Sequence, residues 1–190
     1  MGVQVFPDDR QRLINELGAA IVNPAYFGDS YDLVKRFFCG QLSALGYEPV
    51  VDPMFTGNWG ELEGQFFHLI GAVPPSAAST APRRALFVDP DTGVNNHGSF
   101  RHVSIARLAA EAANYALVFS FDQSFSRKLG PHEIMVSKLS AIRSHGCHAM
   151  YYDSHARFLF VARELKLIEE LRGHLLSIGL PAARLLQSGT

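Results

Sequence analysis

Arg84-Ala85-Leu86-Phe87-Val88-Asp89-Pro90-Asp91-Thr92-Gly93 is the stretch on which the reading of this chain turns. Its first five residues have the length of a strand. From Ala85 to Val88 the run is apolar without a break, which marks a strand covered on both faces. The run stops at a carboxylate. Pro90 then locks the following backbone angle and removes a ladder donor, and Asp-Thr-Gly continues as turn chemistry. Asp89 is thereby delivered to the end of a buried strand, where ligand sites form in open α/β sheets.

Elements of the same kind lie on both sides. A helix over about 103–114 leads to a second apolar strand, Ala116 to Phe121, which ends at Asp122. Upstream, Leu33, Val34, Phe37, Phe38, Leu42 and Leu45 recur at three and four and predict a helix from about Ser30 to Leu45, followed by Gly46. Glu48 to Asp52 reads as a short strand entering a loop, Pro53 to Gly60, that carries the single tryptophan. Gln65 to Val73 is apolar enough for another strand, and 74–82 reads as a surface loop of Pro, Ser and Ala. Downstream come a helix over about 132–144, a hairpin of Cys147–Tyr152 and Arg157–Ala162 turning at Asp153-Ser154, and an amphipathic helix over about 163–177. Residues 1–25 read as a helical extension, with Leu13, Ile14 and Leu17 on one face.

Alternating strands and helices predict one α/β domain over 1–190. The expected architecture is a Rossmann-like three-layer sandwich, with a mostly parallel sheet and a C-terminal antiparallel hairpin at one side. Lys+Arg 17 against Asp+Glu 18 gives a net charge of −1, and 47% of residues are hydrophobic. That balance excludes a disordered chain and a generic polyanion-coating protein. Cys39 and Cys147 stand in no metal spacing and read as reduced core thiols. The polar N-terminus has no signal core and no apolar run crosses a bilayer. The expectation is a cytoplasmic protein with no membrane partner.

Polar residues just past strands are the candidate site: Asp52, Asp89 with Asp91, and Asp122. Two carboxylates one residue apart suit a hard divalent cation. With Asp122 as a third ligand and His97 as proton carrier, Asp89 and Asp91 would serve a metal-dependent hydrolase, a phosphodiesterase or nuclease. Self-capping of an Asp-Pro-Asp-Thr-Gly turn explains the same acids without chemistry. Gly28-Asp29-Ser30 reads as a helix cap that sets Asp32 near a positive helix end. Arg83, Arg84, Arg101, Arg127 and Lys128, interleaved with Phe100 and Phe125, suit phosphates and stacked bases, or equally a solvated loop.

Three strings in this order resemble the adenine methyltransferases that modify large-subunit ribosomal RNA. Gly28-Asp29-Ser30-Tyr31-Asp32-Leu33-Val34-Lys35-Arg36 resembles that family's helix start. Val51-Asp52-Pro53-Met54-Phe55-Thr56-Gly57-Asn58-Trp59-Gly60 is similar to its cofactor loop, and Val88-Asp89-Pro90-Asp91 to its Asp-Pro-Pro-Tyr string. The chain is also similar to small bacterial proteins bearing Asp-Pro-Asp-x-Gly. The resemblance implies S-adenosylmethionine held at Asp52, Gly57 and Gly60, with Asp32 and Lys35 closing the pocket. Asp89 would hold the target amino group of a small molecule or nucleic acid. The catalytic expectation is thus Asp89, with Asp91 and His97 beside it. Asp91 stands where the family has its second proline, and Thr92 where it has the stacking aromatic. An acid there motivates the metal reading. A third reading is a non-catalytic interaction module presenting Phe and Tyr from the 94–102 and 122–131 loops.

Overall fold

The structure is a computed structural model that describes residues 26–55, 59–125 and 130–187. The extension expected over 1–25 lies outside them. Helix α1 (Ser30–Ala44) starts at Asp29, whose carboxylate accepts the N–H groups of Tyr31 and Asp32. β1 (Glu48–Asp52), β2 (Arg84–Val88) and β5 (Leu117–Phe121) are the apolar runs expected from sequence. Between them stand α2 (Leu62–Ile70), the three-residue β3 (Gly93–Asn95) and β4 (His102–Ser104), and α3 (Ile105–Glu111). α4 (Pro131–Ser144), β6 (His148–Tyr152), β7 (Phe158–Ala162), α5 (Leu165–Ser177) and β8 (Leu185–Gln187) complete the order.

Two expectations are corrected. The main sheet has six strands in the order β1-β2-β5-β7-β6-β8. Only β1–β2 and β2–β5 pair in parallel, while β5–β7, β6–β7 and β6–β8 are antiparallel. The sheet is therefore mixed, and the mostly parallel Rossmann-like sandwich does not describe it. The cause is the insertion of β7 between β5 and β6. The hairpin lies to one side of β1-β2-β5 and makes both neighbours of β7 antiparallel, and β8 then returns along β6 at the edge, so that three of the five pairings are antiparallel.

The second correction concerns 65–73, expected as a strand. Residues 62–70 form α2, which ends at Gly71 in the left-handed region at φ 74°, its N–H donating to the Phe67 carbonyl. Phe66 and Ile70 lie four apart and form the buried side. A short apolar run has no periodicity that separates a buried strand from a buried helix. Only Val73 makes a parallel bridge, to Val50.

Alternation along each strand assigns the two faces. Ala85 and Phe87 of β2, and Leu117, Phe119 and Phe121 of β5, pack with α1, α2 and α5. Leu86, Val88 and Val118 pack with α3 and α4. Phe87 stacks on Phe119 and Phe119 on Phe160 at centroid distances of 4.8 and 5.6 Å, an aromatic row across three strands. Phe38 of α1 closes over it, 4.9 Å from Phe158. No helix among the described residues is long and apolar enough to cross a membrane.

Candidate functional site

The same alternation decides where each strand-end acid points. Asp89 continues the 85/87 side and meets α1. Asp52 and Asp122 continue the opposite side. The strand-end acids Asp52, Asp89 and Asp122 are thus divided between two faces.

On the α1 face, Lys35 donates to Asp89 Oδ2 at 2.7 Å and to Asp32 Oδ1 at 3.0 Å. Asp32 Oδ2 also accepts the Gly28 N–H at 2.8 Å. Asp89 is 1% exposed, Asp32 5% and Lys35 8%, so the triad is out of bulk water. The reason lies in the α1 pattern: Asp32, Lys35, Phe38, Cys39 and Leu42 occupy one buried stripe, its first turn charged and the rest apolar. Burial pushes the Asp89 carboxyl up to about 6 against the pull of Lys35. For Lys35, burial works downward, but the Asp89 and Asp32 carboxylates outweigh it and the ammonium is raised. The triad thus sets two carboxyl groups around one amino group.

This triad faces a cavity of about 320 Å³ lined by Tyr26, Phe27, Asp29, Tyr31, Asp32, Lys35, Trp59, Phe66, Asp89, Pro90, Asp91, Phe121 and Gln123. The volume is at the lower end for small-molecule pockets. The walls are aromatic. Tyr31 meets Phe121 edge-on at 5.2 Å, and its hydroxyl is 2.8 Å from His155 Nε2. Gln123 donates its amide to the His155 carbonyl, which fixes the β6–β7 turn beside the cavity. Lys35 Nζ lies 5.6 Å from the Phe121 ring centre and 6.0 Å from that of Phe66.

Of the expected cofactor residues, Asp32 and Lys35 line this cavity. Asp52 does not: it pairs with Arg107 of α3 on the other face and accepts the Met54 N–H. Gly57 lies outside the described residues, and Gly60 is exposed and away from the lining. Of the expected catalytic residues, Asp89 is central and Asp91 lines the cavity while pairing with Arg101 Nε at 2.7 Å. His97 is exposed and not part of the wall.

Asp122 belongs to a different cluster. Its Oδ2 accepts from Lys138 Nζ at 2.6 Å and from the Tyr151 hydroxyl at 2.7 Å. Its Oδ1 accepts the N–H groups of Val94 and Ser124 and the Ser124 hydroxyl. Burial lowers Lys138 against the pull of Asp122, and burial with the Asp122 charge raises Tyr151. Asp89, Asp91 and Asp122 therefore do not converge on one ion. Among the described residues no group of three or more His, Cys, Asp or Glu side chains is placed to hold a metal.

The aromatic walls were the part missed in the sequence. Phe121 had a usable signal, since its odd position in β5 puts it on the Asp89 face. Trp59 and Tyr31 had none beyond their closeness to Asp52 and Asp32. Comparison with known proteins gives no family model, curated protein or solved structure that matches this chain.

Proposed function

We propose that the cavity binds an adenosine-type ligand and that Asp89 accepts a hydrogen bond from its exocyclic amino group. The observation that carries this reading is a buried carboxylate, held by Lys35, facing an aromatic-walled cavity of nucleoside scale. Rings such as Tyr31, Trp59, Phe66 and Phe121 suit the faces of a flat base. A carboxylate that accepts but cannot donate suits an amine.

The enzymatic form of the reading is methyl transfer to the amino nitrogen, as the resemblance to adenine methyltransferases suggests. S-adenosylmethionine, when bound, would supply the methyl group, its sulfonium S–C bond breaking to leave the neutral thioether as the N–C bond forms and the nitrogen gives up a proton to water. Asp32 and Lys35 fit a role beside such a ligand. Asp52 does not, because Arg107 holds it on the opposite face. Asp89 orients the amine, and Lys35 keeps Asp89 ionised near neutrality. A cytoplasmic setting suits the two buried, unpaired cysteines. Nothing in the geometry favours the metal-dependent hydrolase, whose three acids each have a cation of their own.

Isothermal titration with adenosine and with S-adenosylmethionine tests the reading. Micromolar binding by the native chain, weakened at least tenfold in Asp89→Asn with unchanged circular dichroism, is the expected result. No heat from either compound at millimolar concentration overturns it.

A further inference from the structure

We infer that the cavity selects the unphosphorylated form of its ligand, a free nucleoside, over the corresponding nucleotide; this rests on the adenosine reading above. Three observations carry it. First, the described lining holds four carboxylates, Asp29, Asp32, Asp89 and Asp91, against one cation, Lys35. Second, that cation is already committed: Lys35 bridges Asp32 and Asp89 and sits over Phe66 and Phe121. On the β3–β4 side the Arg101 guanidinium is held by Asp91.

Third, the place where a phosphate would be welcome is filled. A helix start offers free N–H groups and a positive dipole end to an anion. At α1 the protein's own carboxylates take those groups. Asp29 Oδ1 accepts from Tyr31 and Asp32, at 2.8 and 3.2 Å, and Asp32 Oδ2 accepts from Gly28. A phosphate entering the cavity would meet four carboxylates, and Lys35, the one cation among the described lining residues, is already shared between Asp32 and Asp89. An uncharged ribose, with hydroxyls that donate, meets acceptors.

The experiment titrates adenosine and AMP into the full chain under identical salt, followed by the same pair into Asp91→Asn. In the native chain AMP is expected to bind at least tenfold more weakly than adenosine. Asp91→Asn removes one carboxylate from the lining and releases the Arg101 guanidinium beside it. The ratio of AMP affinity to adenosine affinity should then rise at least threefold, whatever the change in adenosine binding itself. Equal affinities of the native chain for the two compounds would overturn the inference while leaving the adenosine reading intact. An unchanged ratio in Asp91→Asn, with circular dichroism preserved, would overturn it too. Binding of neither compound overturns this inference, and the adenosine reading falls with it when S-adenosylmethionine also fails to bind.

Discussion

Asp89 and Asp122 end neighbouring strands, are equally buried, and each holds a lysine, yet they do different work. Asp122 is saturated. Lys138, Tyr151, Ser124 and the Val94 N–H surround both of its oxygens. Gly93 belongs to the same construction: a Cβ there would lie 2.4 Å from Asp122 Oδ1, and its φ of 124° strains any other residue. Asp89 shares its lysine with Asp32 and looks into a cavity. One carboxylate ties a loop to the sheet; the other lines a cavity. Burial alone does not mark a functional acid; what surrounds its two oxygens does.

The sharpest way to break that contrast is to remove each acid. Asp122→Ala leaves Lys138 buried without its carboxylate and frees the Gly93–Val94 backbone, so a loss of about 3–5 kcal/mol is expected in urea or guanidinium unfolding. Asp89→Asn keeps the shape and leaves Lys35 its bond to Asp32, so the loss should be about 1–3 kcal/mol. Comparable losses, or a larger one at Asp89, would dissolve the distinction between scaffold and site.

A pH series sharpens it further. An Asp89 pKa of about 6 lies above the unfolded value of about 3.9. Between those values the folded chain binds more protons than the unfolded one, so this group makes stability fall as pH rises from about 4 to about 6. The shift of about two units corresponds to roughly 2–3 kcal/mol. Measured as the difference between native protein and Asp89→Asn, that slope should appear in the window and flatten above it. A flat difference from pH 4 to 7 would mean that Lys35 holds Asp89 ionised throughout. Ligand binding has the opposite dependence, since the amine needs the carboxylate, and should strengthen as pH rises through about 6.

How much of this was readable in the sequence depends on whether a local pattern or a long-range pairing decides the matter. Helix α1 and strands β1, β2 and β5 are written in local periodicity, and they formed within a residue or so of their expected bounds. α2 was misread because Phe66 and Ile70 sit in a run too short to separate the two periods. The sheet was misread for another reason: β7 inserting between β5 and β6 is a choice among pairings that no local pattern records. The site followed the same division. Asp89 was legible at a strand end, and Asp32 and Lys35 entered through the helix start and the resemblance of Gly28–Arg36; the apolar recurrence pointed instead to Leu33 and Phe37, which are exposed. The turning-away of Asp52 and Asp122 follows from alternation once the helices on each face are known. That alternation was available, but which helix lies on which face was not.

The smallest effect probes the wall opposite the triad. Tyr31 contributes three things: a ring edge against Phe121, a ring face stacked 5.6 Å from His155, and a hydroxyl bonded to His155 Nε2. The hydroxyl bond is solvent-exposed, and water replaces it at little cost, so Tyr31→Phe should change stability by no more than about 0.5 kcal/mol. If the wall acts through its ring, adenosine affinity should stay within about threefold in that variant. Tyr31→Ala, which removes the ring, should weaken binding about tenfold, since base stacking on an aromatic contributes about 1–3 kcal/mol. The order matters more than the sizes. Equal losses in the two variants would assign the wall's role to the Tyr31–His155 hydrogen bond. The β6–β7 turn, held by Gln123, would then be part of the site itself.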